Sequence, residues 1–179
     1  MSWIGLNLLR SMKMKQIPKN INWDATSFFE KLASKNKLAK EEHFGFFRVS
    51  GLEGFEEALH NLQSTANFIC VSDIAQGYTE LNTTPHTRRV KTVFFAMRHA
   101  LDDMEARQQC MDIMRELFRQ FMSVLIQEKT RVEEEHIYLD PRISFQEIES
   151  YFCSGCACAF FQVATDVFTD LRYNQEEWE

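Results

Sequence analysis

The chain has 179 residues, 45% of them hydrophobic and 26% charged, with only six glycines and three prolines. That composition suits one ordinary globular domain and excludes a collagenous, low-complexity or linker-like chain. The net charge of −6 divides into +4 on residues 1–22, from Arg10, Lys13, Lys15 and Lys19, and −10 on the rest; an acidic body repels phosphate backbones, which disfavours nucleic acid as the main partner.

The opening run MSWIGLNLLRSMKMK places apolar residues before its charges, the reverse of a secretion signal, and is too short to span a bilayer. Residues 1–22 therefore read as a basic extension and 23–179 as a single domain. Asp24 or Ser27 can cap a first helix, with Glu30 completing a capping box, Phe28, Phe29 and Leu32 as its apolar stripe, and an end near Lys40. HFGFFRVSG, residues 43–51, is rich in aromatic and β-branched residues and predicts a strand. Ser50 and Glu53 open a second helix in which Leu52, Phe55, Leu59 and Leu62 recur at the spacing of a buried stripe.

NFICVSD, residues 67–73, predicts another strand. Residues 75–87, polar and containing Gly77 and Pro85, predict a long loop. The next strand is expected over residues 88–99. From Asp102 to Lys129, Met111, Met114, Leu117, Phe118, Phe121 and Leu125 mark a long amphipathic helix, with acids at its positive pole. A charged break leads to a strand at ISFQEI, Gly155 turns the chain, and residues 156–171 predict a final long strand. The expected fold is α+β: a mixed, mainly antiparallel sheet of about five strands with helices packed on it.

Five cysteines, an odd number, without a secretion signal predict reduced thiols in a cytosolic setting. Three of them, Cys153, Cys156 and Cys158, form C-x-x-C-x-C. A structural zinc site needs a second pair of ligands that the sequence does not supply, and a redox Cys-x-x-Cys should cap a helix rather than precede a strand. On a strand, Cys156 and Cys158 share a face and read as small core filling. A small cytosolic metal-binding protein or enzyme built on this cluster is the alternative function, and a regulatory binding module of an integrated element is a third. His43, His60, His86, His99 and His136 are scattered. With no phosphate-cradling glycine loop and no nucleophile elbow, the sequence motivates neither a catalytic residue, nor a metal, nor a cofactor.

Arg88, Arg89, Lys91 and Arg98 make a basic cluster, whereas the carboxyl end carries Asp166 and Asp170 together with Tyr173 and Trp178. Patches of opposite sign on one chain predict head-to-tail contact between copies, and large aromatics favour interfaces. These eight residues form the expected subunit interface.

The order of elements resembles bacteriophage tail-terminator (tail-completion) proteins of the prophage-encoded type. The likeness lies in RRVKTVFFAMRHALDDMEARQQCMDIMRELFRQFMSVL followed by GCACAFFQVATDVFTDLRYN, within residues 88–174. The resemblance implies a mixed sheet flanked by helices and a hexameric ring that caps the tail tube and joins it to the head. It also implies residence in the virion, with the host cytoplasm as the place of assembly. Its partners would be further copies of the chain and the tail-tube and head-neck proteins, with no membrane span and no catalytic residue.

Overall fold

A computed structural model describes residues 22–148 and 155–178. The basic extension, apart from Asn22, and Cys153 lie outside them. Asp24 caps the first helix, α1 (Ala25–Lys35), by accepting from the Ser27 amide at 3.0 Å, and Ser27 donates its hydroxyl to the same carboxylate at 2.6 Å. Of the two expected caps, Asp24 serves and Ser27 sits inside the helix. The expected run to Lys40 breaks at Asn36, whose side chain caps α2 (Lys37–Glu41) through the Ala39 amide at 2.8 Å and reaches Gln120 at 2.7 Å.

The strand β1 (Phe44–Val49), the helix α3 (Gly51–Asn61) and the strand β2 (Asn67–Ser72) form a crossover unit, with β1 parallel to β2. Gly51, at φ 72°, makes the turn into α3, a conformation that costs glycine little. The strands β3 (Gln76–Glu80) and β4 (His86–Arg98) form an antiparallel hairpin. The expected 75–87 loop is therefore corrected: only residues 81–85 connect the two strands. The long helix α4 (Met104–Glu133) follows, capped by Asp103 through the Ala106 amide. Next come β5 (Ile137–Leu139), β6 (Ser144–Ile148) and β7 (Cys156–Phe168).

Among the described residues the fold is α+β, with seven strands rather than five. The sheet order is β1-β2-β4-β7, β3 lies beside β2 on β4, and β5 and β6 lie end to end along β7. Only β1–β2 is parallel. The additional strands are short pieces of three and five residues, β5 and β3, a length at which alternation carries little signal.

Odd-numbered residues of β4 and β7 face α1 and α4. There Val93, Phe95, Met97, Phe161 and Val163 meet Phe29, Met114, Leu117 and Phe121. Phe29, Phe95, Phe118, Phe121 and Phe161 form a cluster of mainly edge-to-face contacts with ring centroids 5.1–6.1 Å apart, the geometry favoured by ring quadrupoles. Even-numbered residues face α3: Phe94, Ala96, Cys156 and Cys158 pack with Phe55, Leu59, Phe68 and Cys70. Phe55 stacks on Phe94 at 4.5 Å. Each fully buried phenylalanine side chain contributes roughly 1.5–3 kcal/mol of transfer free energy, and Phe29, Phe55, Phe68, Phe95, Phe121 and Phe161 are among the largest fully buried side chains.

His43 follows the C-cap of α2 at φ 56°, the left-handed position more often filled by glycine, and His136, at φ 62°, closes the turn between α4 and β5.

Candidate functional site

The long strands β4 and β7 pair over their whole length, from His86–Phe168 to Arg98–Cys156. The helix α3 covers the even face of only one half. In the other half β4 and β7 are flanked by β3 and β5, and no helix among the described residues packs on that face. Register places Tyr78, Arg88, Asp166 and Tyr138 in one row across four strands. The two tyrosines at the ends of the row are half exposed.

Arg88 holds the centre of the row. It donates to Asp166 at 2.5 Å and also to Asp140, and all three side chains are about one quarter exposed. Asp140 stands where β5 ends; its amide donates to the Ala164 carbonyl at 2.9 Å, and its carboxylate accepts the Arg142 amide at 2.9 Å. That amide, followed by the Arg88 guanidinium, holds the Asp140 carboxyl below its usual range, and the bond to Asp140 raises the Arg88 pKa.

The basic cluster expected along β4 is corrected, because its members lie on two faces and three of them are engaged within the chain. Arg88 pairs with Asp166, which was expected to belong to a neighbouring copy. Lys91, on the odd face, donates to the carbonyls of Ser72 at 3.0 Å and Asp73 at 2.5 Å, and its desolvation lowers its pKa. Arg98 donates to the carbonyls of Leu59, Leu62 and Thr65 and lies 5.3 Å from the Phe68 ring centroid. It closes the carboxyl end of α3, where helix carbonyls lack partners. Arg89 alone of the four has no side-chain hydrogen bond or ion pair among the described residues.

The carboxyl-terminal residues behave differently. Asp170 pairs with Arg172 at 2.7 Å. Tyr173 and Trp178 stack at 6.4 Å around a short 3-10 turn, Gln175–Glu177, and stand 71% and 67% exposed. Of the expected interface, these two aromatics remain on the surface. What the sequence reading missed is Asp140, although Asp-Pro at 140–141 is a turn signal that could have marked the strand end.

Cys156 and Cys158 are fully buried under α3, near Cys70. Burial pushes the Cys70 thiol up to about 12, which removes its nucleophilic form at neutral pH. Among the described residues no group of three or more His, Cys, Asp or Glu side chains is placed to hold a metal ion, and no helix is long and apolar enough to cross a membrane.

Compared with protein-family models and with curated proteins, the chain matches none.

Proposed function

We propose that the chain is a structural phage-morphogenesis protein, a tail terminator whose copies form a ring that caps the tail tube and joins it to the head. The observation that carries this reading is the open half of the sheet. There the long β4–β7 pair extends beyond α3 and offers a flat face with exposed tyrosines, Tyr78 and Tyr138, on either side of an Arg88–carboxylate centre. Exposed aromatics flanking fixed charge suit contact with another protein. The order of helices and strands agrees with the architecture that the resemblance implies. On this reading the protein acts through complementary surfaces, with itself and with tail-tube and head-neck proteins, and carries out no catalysis. It resides in the virion after assembly in the host cytoplasm.

Electron microscopy of the purified chain with polymerising tail-tube protein tests the proposal. Rings are expected at tube ends, with tubes of limited length. Uncapped tubes of unrestricted length and a chain that remains monomeric would refute it, as would a gene neighbourhood without head or tail genes.

A further inference from the structure

Resting on that reading, we infer that the ring is closed by the carboxyl-terminal tail, residues 169–178, docking in a basic groove on a second copy. The groove, about 590 Å³, lies between α2, the start of β1 and the turn before β2. Ala39, Lys40, His43, Gly45 and Thr65 are among its lining residues. Lys40 is the lysine in that lining; Lys35 and Lys37, close to it in sequence, are exposed, and none of the three has an ion-pair partner among the described residues. From Lys31 to Arg48 the chain carries five basic and two acidic residues.

The tail has the opposite character. From Asp170 onward it carries four acids against Arg172, with Tyr173 and Trp178 stacked and exposed. A large aromatic pair beside carboxylates suits an apolar floor rimmed by ammonium groups. Two grooves on either side of Phe118 have rims in which charges balance, Arg115 with Glu147 in one and Lys129 with Asp140 in the other, and in a third, beside Leu59, the Arg98 guanidinium is already engaged by the carbonyls of Leu59, Leu62 and Thr65.

Geometry requires the contact to be between copies. The tail leaves the sheet where Thr169 donates to the Pro85 carbonyl, just before β4 begins, whereas the groove lies where Arg98, the last residue of β4, reaches Thr65. The 13 residues of β4 separate these points by about 40 Å at ~3.3 Å per residue. Fully extended, the tail from Thr169 to Trp178 spans only about 30 Å. A tail that cannot reach its own groove makes a heterologous contact, and repeated heterologous contacts close into rings when the rotation permits.

The test uses a labelled peptide of residues 169–179 and the full chain carrying Tyr173→Ser and Trp178→Ser, whose own tail no longer competes. Saturable binding is expected, weakened about tenfold or more when Lys37→Glu and Lys40→Glu are added, and partly restored by a peptide carrying Glu176→Lys. Absent binding, or binding indifferent to the lysine changes, overturns the inference. Native mass is read on the wild-type chain and on the tail double variant. A wild-type assembly that dissociates in the variant supports the tail contact; an assembly of unchanged mass overturns it and leaves the ring reading intact. A wild-type chain that is monomeric both alone and with tail tube defeats the ring reading, and the peptide experiment still reports separately on the tail contact.

Discussion

The two halves of the β4–β7 pair share strands, pleat and register, yet they solve opposite problems. Under α3, the even positions hold Phe94, Ala96, Phe160, Cys158 and Cys156; beyond it, they hold Thr92, Val90, Arg88, Gln162, Ala164 and Asp166. Arg98 and Arg88, ten positions apart on the same face, mark the contrast. One guanidinium is spent on helix-end carbonyls, the other on two carboxylates. The difference teaches that this sheet is core where a helix covers it and surface where none does, with no break in the strands between.

The largest test of that division falls on the covered half. Phe55 is fully buried and stacks on Phe94, so Phe55→Ala should cost about 3–5 kcal/mol, the range for buried aromatic truncation. Urea unfolding of the variant gives the value directly. A loss below about 1 kcal/mol, the level of an average substitution, would mean that α3 contributes little to the core and that the two halves do not differ as described.

The covered half was also the more legible from sequence. Burial imposes period: of the expected α3 stripe Phe55 and Leu59 are buried, while Leu52 at the start of the helix is half exposed, and on the opposite face of the sheet Met111, Met114, Leu117, Phe121 and Leu125 of α4 are buried where helical spacing placed them. The paired cysteines of β7 also read correctly as interior side chains, because strand alternation sends Cys156 and Cys158 to one face. In the open half, β3 has four exposed residues of five and bears no apolar pattern, and β5 alternates buried Ile137 and Leu139 with exposed Tyr138 over only three residues, too few for the period to stand out. The strand character of β3 comes from hydrogen bonding to β4, its partner in the hairpin, and that of β5 from β7, which is distant in sequence. The charges misled for a related reason. A count of arginines along β4 does not say which face each occupies or which carboxylate it meets, and Asp140 comes within reach of Arg88 only through the β5–β7 pairing.

A second, smaller test falls on the open half. Arg88→Met leaves Asp140 and Asp166 facing each other without their cation, for an expected cost of about 2 kcal/mol at pH 7, the scale of hydrogen bonds to charged groups. The pH dependence has a definite sign. The folded pKa of Asp140 lies below its ordinary value, so its contribution is complete above the unfolded pKa of about 3.9 and is lost as pH falls through the folded value. The stability difference between wild type and Arg88→Met should therefore be level from pH 6 to 8, on the order of 2 kcal/mol, and shrink below about pH 4. A difference that persists undiminished in acid would show that Arg88 acts by packing its side chain rather than by pairing.

The smallest global effect should come from the most severe local clash. A Cβ on Gly77 would lie 1.8 Å from the Arg88 carbonyl oxygen and 3.2 Å from the Arg89 Cα, so Gly77→Ala cannot keep β3 in its place beside β4. Glycine inside a strand often marks such a close backbone approach. Yet β3 is an edge strand with mostly exposed side chains, and its release exposes little apolar surface. The cost is capped by the free energy of local opening, which is low for such elements. Hydrogen exchange should therefore accelerate at residues 76–80 and on the β4 amides that face them, while amides of β2 and of the covered part of β7 keep their protection and global stability falls by less than about 1 kcal/mol. If Gly77→Ala instead destabilised the whole chain as much as Phe55→Ala, the open half would be part of the cooperative core, and its exposed row could not serve as an independent contact surface.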